Sequence, residues 1–149
     1  MGSITLTKRV NAPIERAYAV LTELDRATER IPNIKRLEVL TPGPVGRGTR
    51  FRETRMMFGK EATETLEITD VQPGRSITFE AGSCGARFST TFTLTREGSG
   101  TLIEQVTSCT PVSFLARLMT PLSMLMMKPM KKMMQADLDH MALAMERGG

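Results

Sequence analysis

Hydrophobic and polar residues alternate one by one along residues 3–10, as they do in a β-strand that buries one face. Apolar residues then recur at steps of three and four, which predicts a helix. Asn11 and Pro13 mark its start, because they supply a capping side chain and a proline suited to the first turn. A shorter helical piece is expected over residues 25–30, ending before Pro32.

Between residues 34 and 110 the pattern returns to strand-like segments that are separated by turn signals. These turn signals lie at residues 42–48, 58–59, 72–75, 82–85 and 97–100. They divide the region into six further strands. Connections of hairpin length join antiparallel neighbours, so we expect one antiparallel sheet of seven strands.

The positions of the turns determine which residues lie opposite each other, and opposite residues share a face of the sheet. A last hairpin centred on Gly98 and Ser99 gives the inner-face pairs Phe88 with Cys109, Thr90 with Thr107, Phe92 with Gln105, and Leu94 with Ile103. Turns centred on residues 73–74 and 58–59 give Ile68 with Phe79, Leu66 with Ala81, Phe51 with Leu66, Glu53 with Glu64, and Arg55 with Ala62. The inner face is therefore expected to be apolar at its base and charged towards one end.

After Pro111 the composition turns to Leu, Met, Ala and Lys, which predicts a long helix that runs to about Arg147. Pro121 suits the start of this helix after a Thr120 cap, and Pro129 is expected to kink it. One apolar stripe at steps of three and four includes Leu122, Met126, Met130, Met133, Met134, Leu138, Met141 and Met145. Such a stripe is expected to cover the sheet.

Several short motifs follow one another along nearly the whole chain. They are Val10-Asn11-Ala12-Pro13, then Ala17, Tyr18 and Leu21, Ile31-Pro32, Gly48-Thr49-Arg50-Phe51, Pro73-Gly74-Arg75, Gly100-Thr101 and the long terminal helix. In this order and spacing they resemble the START-like, or SRPBCC, superfamily, particularly its polyketide cyclase/dehydrase and lipid-transport branch, which is related in fold to the birch-pollen allergens.

The resemblance implies an α+β helix-grip fold, in which a seven-stranded curved antiparallel sheet wraps around a long C-terminal helix. Two short helices are expected after the first strand. The resemblance also implies a single ligand-binding domain over residues 1–149, with a groove between the sheet and the helix. It implies no particular catalytic residues, because members of the superfamily share a ligand cavity but not one reaction.

Length and composition agree with one globular domain. A chain of 149 residues that is 40% hydrophobic and 24% charged suits a single core. We expect a cytoplasmic protein, because no secretory signal is visible and no apolar run approaches about 20 residues. The predicted register sets Cys84 and Cys109 about four residues out of line, too far for a disulfide, so both are expected to be free thiols.

Charge and motif content argue against several classes of function. The 20 Lys and Arg residues are interspersed with 16 acidic residues, and one Tyr with no Trp provides a poor stacking platform, so nucleic-acid binding is not expected. No metal and no cofactor are expected. His140 is the single histidine, and CxxC, GxGxxG and phosphate-loop motifs do not occur.

The methionines of the last helix allow two interpretations. A stripe at helical spacing is typical of a packed core. Methionine is also flexible and polarizable, which suits a surface that adapts to varied apolar ligands, whereas Leu and Ile specify a rigid core better. If the stripe borders a groove, the predicted ligand-binding residues are Phe51, Leu66, Phe79, Phe92, Gln105, Thr107, Met126, Met130, Met133 and Met134.

Glu53, Arg55 and Glu64 are the candidate catalytic residues. Adjacent carboxylates raise one pKa, and an arginine favours the charged form, which is an arrangement suited to acid–base chemistry. A solvated ion cluster at the rim of the groove would contain the same residues, and we favour that interpretation because structural ion networks have the same signature.

Three functions remain open from the sequence. The first is a carrier or sensor of a small hydrophobic or amphipathic ligand, such as a lipid, an isoprenoid or a polyketide. The second is a polyketide cyclase or dehydratase that uses Glu53, Glu64, Arg55, Gln105 or Thr107. The third is a protein-interaction module with an exposed methionine surface. Transient contact with an anionic membrane is a further expectation, because residues 56–59 and 122–132 are apolar with lysines nearby. A hairpin tip that packs as a lid would show the same pattern.

Overall fold

The computed structural model describes residues 2–57, 59–83, 86–111 and 127–147. After strand β1 (Gly2–Val10) come helix α1 (Ile14–Thr22), a 3-10 turn (Leu24–Arg26) and helix α2 (Ala27–Arg30). Six strands follow, namely β2 (Ile34–Val39), β3 (Arg50–Met57), β4 (Lys60–Gln72), β5 (Ser76–Ser83), β6 (Ala86–Glu97) and β7 (Gly100–Pro111). The last described element is helix α3 (Met127–Arg147).

The seven strands form one sheet in the order β1-β7-β6-β5-β4-β3-β2, and every neighbouring pair is antiparallel. Strands β2 to β7 lie side by side in chain order, and β1 adds to the β7 edge. The curved sheet, the C-terminal helix and the short helices after β1 confirm the predicted helix-grip fold. None of the described helices is long and apolar enough to cross a bilayer.

The predicted register of the last hairpin is confirmed. Glu97 pairs with Gly100, so Gly98 and Ser99 form a two-residue turn, and Gly98 has a left-handed φ of 63°. This conformation costs glycine little because it has no Cβ atom. The four predicted pairs between β6 and β7 all occur, as do the three between β3 and β4.

The β4–β5 hairpin reaches the predicted pairs by a different route. Its turn contains three residues rather than two, because Gln72 pairs with Ser76 around Gly74, whose φ is 74°. This extra residue would shift the register of the hairpin by one. A bulge between Ile68 and Asp70 on β4 removes the shift, so Ile68 still lies opposite Phe79, as predicted.

The predicted cap of α1 is wrong. Pro13 occupies the N-cap position, and no side chain caps the helix. The Oδ1 atom of Asn11 instead accepts a hydrogen bond from Nη1 of Arg9 at 2.6 Å, and the Asn11 backbone N–H donates to Oε2 of Glu146 at 2.8 Å. Asn11 lies too far before the helix to reach its free N–H groups, so it fastens the end of β1 to α3.

Helix α3 packs against the sheet through the predicted stripe. Leu138, Met141 and Met145 are buried in the main core, and Met130 and Met134 pack against that core while partly buried. Leu122, Met126, Thr120 and Pro121 lie outside the described residues. Pro129 stands in the first described turn of α3, so the kink expected there stays a prediction. Cys109 is a free, half-buried thiol, and Cys84 also lies outside the described residues.

Leu138 and Leu143 offer a matched test of this packing on one helix. Leu138→Ala should lower the free energy of unfolding by about 2–5 kcal/mol, because it removes buried methyl groups and leaves a cavity. Leu138 is fully buried, whereas Leu143 is 51% exposed. Leu143→Ala should therefore change the unfolding free energy by less than about 0.5 kcal/mol. Denaturant titration measures both, and equal losses would show that α3 packs through another face.

Tyr18 on α1 should make the fold sensitive to alkali. Its hydroxyl is buried without a hydrogen-bond partner among the described residues, and burial, followed by the charge of Asp70, raises its pKa. A raised pKa means that stability is lost as the pH rises above about 10, where the hydroxyl of the unfolded chain ionises. Tyr18→Phe should unfold less readily than the wild type in that range and be equally or more stable near neutral pH. Thermal unfolding across the alkaline range measures this, and parallel curves for the two proteins would contradict it.

Candidate ligand-binding cavity

A cavity of about 250 Å³ lies between the concave face of the sheet and helix α3. Side chains of α1 and α2 close one side of it, and strands β2 to β7 provide most of its wall. This arrangement follows from the register, because residues that alternate along each strand point to the same face. The two glutamates and the arginine of β3 and β4 therefore share the inner face with Phe51 and Leu66, as predicted.

Aromatic side chains form a continuous apolar wall across three strands. The rings of Phe51 and Phe79 meet edge to face with centroids 5.9 Å apart, and those of Phe79 and Phe92 do so at 6.1 Å. Leu66 and Ala81 continue this wall. Edge-to-face contacts hold the rings in place, so the sheet side of the cavity is the stiffer side.

Methionines form the opposite, more adaptable wall. Met130, Met133 and Met134 of α3 line the cavity and are half-buried. Nine of the ten predicted ligand-binding residues lie around this cavity, and Met126 lies outside the described residues. Their part in binding stays a prediction. Met57, next to the hairpin tip, also lines the cavity, which favours the interpretation of the tip as a lid.

A buried ion group occupies one end of the cavity. The Nε atom of Arg55 lies 2.9 Å from Oε1 of Glu53, and its Nη1 atom lies 2.7 Å from Oδ2 of Asp137. The three side chains are only 11–17% exposed. Burial alone would lower the pKa of Arg55, but Glu53 and Asp137 outweigh this effect and raise it. Arg55 therefore stays charged and links β3 to α3.

The ion group is more buried than the solvated rim cluster that we favoured from the sequence, because Asp137 covers it from the helix side. The structural role of the ion group stays a prediction, but its solvated character was wrong. Glu64 is half-buried, and among the described residues it has no ion-pair or hydrogen-bond partner. One carboxylate of the predicted trio is thus left without a partner in the wall of the cavity.

Sequence reasoning missed Asp137 and the pair formed by Glu23 and Arg30. Asp137 lies between Met133 and Met141 at steps of four, so it is a charged residue on the apolar stripe, and this was a signal that it needs a buried partner. Arg30 and Glu23 also line the cavity, and their side chains meet at 2.6 Å. Glu23 follows the last residue of α1 and Arg30 ends the four-residue helix α2, so no single periodic pattern relates them and the sequence held no comparable signal.

A second polar region lies on β6 and β7. The hydroxyl groups of Thr90 and Thr107 are hydrogen-bonded at 2.9 Å. Gln105 is 6% exposed, and among the described residues no donor reaches its Oε1 atom. Within the same part of the chain, no group of three or more His, Cys, Asp or Glu side chains is placed to hold a metal ion.

Removal of Arg55 should be costly for stability. In Arg55→Met the carboxylates of Glu53 and Asp137 would remain buried without their cation, so the free energy of unfolding should fall by about 3–5 kcal/mol. Arg96→Met is the control, because Arg96 and Glu15 form a bridge with both side chains more than 60% exposed, and its loss should cost less than about 1 kcal/mol.

Adding Glu53→Gln and Asp137→Asn to Arg55→Met should restore part of the lost stability. Denaturant titration of the four proteins measures these differences. Similar losses for Arg55→Met and Arg96→Met would show that the ion group is solvated.

Solved structures with the same architecture include proteins of several kinds. The chain is similar to TTHA0849 from Thermus thermophilus, with a TM-score of 0.78 and 20% identity over 95% of this chain and 94% of that chain. It is similar to the di-domain ARO/CYC StfQ from the steffimycin biosynthetic pathway, with a TM-score of 0.79 and 17% identity over 97% of this chain and 50% of that chain.

A third similar structure is the Zhui aromatase/cyclase from Streptomyces sp. R1128, with a TM-score of 0.74 and 15% identity over 98% of this chain and 94% of that chain. At these identities the similarities establish the fold alone. No curated protein matches the sequence significantly. The sequence profile of the family described as polyketide cyclase / dehydrase and lipid transport matches residues 1–146, and the chain therefore belongs to this family.

Proposed function

We propose that the protein binds a small hydrophobic or amphipathic molecule, such as a lipid, an isoprenoid or a polyketide, and acts as its carrier or sensor. The cavity of about 250 Å³ is the observation that carries this proposal. Empty apolar space lowers stability because the side chains around it lose packing contacts, so a chain that needed only a packed core would gain stability by filling it.

The size of the cavity restricts the ligand. Small-molecule sites commonly enclose about 300–1,000 Å³, and this cavity lies just below that range. A short alkyl chain or a compact ring system is the size that fits. The methionines of α3 can change rotamer at little cost, so a somewhat larger ligand would be accommodated on the helix side.

A cyclase or dehydratase is the second candidate, and Arg55 is the observation that favours it. Its Nη2 atom makes no hydrogen bond with a described residue, so it can donate to a substrate carbonyl and stabilise an enolate. Glu64, which has no ion-pair partner among the described residues, would accept the proton. Two of the similar structures are named as an ARO/CYC and an aromatase/cyclase.

Mass spectrometry distinguishes these two functions. A linear β-keto mimic incubated with a carrier should be recovered unchanged, whereas a cyclising dehydratase should return a product that has lost one water. Glu64→Gln should then abolish the loss of water without releasing the bound mimic. A ligand that copurifies with the protein, identified by native mass spectrometry, would name the class of molecule directly.

The described part of the chain gives no support to the hypothesis of a protein-interaction module. It required methionines exposed on the last helix. Met130, Met133 and Met134 are half-buried, and Met141 and Met145 are buried. Contact with a membrane surface stays a prediction, because Phe58 and residues 112–126 lie outside the described residues.

Tryptophan substitutions on α3 test the proposed cavity. Met130→Trp should weaken uptake of the uncharged dye prodan at least about tenfold while leaving the unfolding free energy nearly unchanged, because the larger side chain occupies the cavity. Met145 is fully buried outside the cavity lining, so Met145→Trp should instead destabilise by about 1–3 kcal/mol through overpacking.

Leu143→Trp should affect neither property, because this position is exposed. Dye fluorescence and denaturant titration measure the two effects. If the wild type binds no prodan and Met130→Trp is as destabilising as Met145→Trp, the cavity is solid core and the carrier hypothesis fails.

A further inference from the structure

The charged groups around the cavity do not balance. Among the described residues, four carboxylates and two guanidinium groups line it, so negative charges outnumber positive ones by two in this part of its wall. They are Glu23, Glu53, Glu64, Asp137, Arg30 and Arg55. The chain as a whole carries a net charge of +4, so the described wall of the cavity has the opposite sign to the protein. Glu64 accounts for part of this excess, because no described cation pairs with it.

The second polar region adds another acceptor. Gln105 is more than nine-tenths buried and lines the cavity, and no described protein group donates to its Oε1 atom. It lies on β7, four strands away from Glu53 on β3. Neighbouring strands are about 4.8 Å apart, so the two regions are about 19 Å apart along the sheet and closer across its concave side. The Oε1 atom of Gln105 itself has almost no accessible surface, so it accepts a hydrogen bond from a ligand only after the amide rotates towards the cavity.

We infer that the ligand bound in this cavity carries hydrogen-bond donors, such as hydroxyl or amine groups, and has no anionic headgroup. This inference rests on the proposed binding function and adds the chemical class of the ligand. A buried acceptor without a partner is costly, and a donor on the ligand removes that cost. A carboxylate on the ligand would instead meet like charges in an environment that screens them weakly.

Arg55 does not reverse this preference. Its Nη2 atom is available to an acceptor, but Glu53 and Asp137 already flank the same guanidinium and leave a net negative charge around it. Lys128, Lys131 and Lys132 are exposed on α3 and do not line the cavity. Arg30 also lines the cavity, but Glu23 binds it at 2.6 Å, so each described cation of the cavity is already held by a carboxylate.

Two ligands with ten carbon atoms each test which sign of ligand charge the cavity prefers. Decylamine and decanoate both carry one charge at about pH 8, so the costs of desolvating them are similar and the cavity decides between them. Each is titrated against bound prodan, which is uncharged and has no hydrogen-bond donor. Decylamine should displace the dye at a concentration about tenfold lower than decanoate does.

Glu64→Gln should reduce this preference at least about threefold, because it removes a charge without breaking an ion pair. Glu104→Gln is the matched control. Glu104 is exposed on the outer face, where it pairs with Thr7 and Thr93. This variant changes the net charge equally and should leave the preference unchanged.

Gln105→Leu tests the other end of the cavity. It should weaken displacement by decanol about fivefold while leaving prodan binding intact. The hydroxyl donor of decanol would lose its acceptor, whereas prodan has no donor. Equal effects on decanol and prodan would assign Gln105 a purely structural role and overturn its part in the inference.

The outcomes separate the inference from the function on which it rests. If prodan does not bind, the proposed binding function fails. If prodan binds but decanoate displaces it as well as decylamine does, binding stands and the inference on ligand class is wrong. The same conclusion follows if Glu64→Gln and Glu104→Gln change the preference equally.

Discussion

A single helix cannot fill the concave side of a curved seven-stranded sheet, and most features of this protein depend on that packing constraint. The C-terminal half of α3 is anchored, since Leu138 and Met145 are buried and Glu146 binds the end of β1. The N-terminal half carries half-buried methionines that face the cavity. The space left between this half of the helix and the sheet is the cavity of about 250 Å³.

The ion group of Arg55 affects how α3 packs on the sheet. It joins β3 to α3 at one end of the cavity and so helps to position the less tightly packed half of the helix. A buried ion pair gains little net stability, because desolvation offsets most of the attraction. Its geometry is demanding, however, and the apolar side chains around it impose no such directional requirement. The pair therefore contributes more to the position of the helix than to the stability of the fold.

The polar groups of the cavity come from individual side chains, which the fold does not determine. Proteins with this architecture have different chemistries, so the sheet and the helix alone do not determine function. Here the cavity combines an aromatic wall with carboxylates that outnumber the cations among its described lining residues. The same ion group that positions α3 also places a guanidinium beside the ligand space. Arg55 therefore both helps to position α3 and lines the cavity.

The sequence by itself determined the strands, the register and the faces of the sheet, because side-chain alternation and turn residues are local signals. Phe51, Glu53 and Gln105 could be assigned to the inner face for this reason. Only the tertiary structure decided that Asp137 meets Arg55, since the contact joins residues 82 positions apart through a helix whose placement no local pattern encodes. It also decided that the methionines border a cavity, because a stripe at helical spacing is the same whether the space beneath it is filled or open. That difference depends on the curvature of the whole sheet, which is a collective property of seven strands.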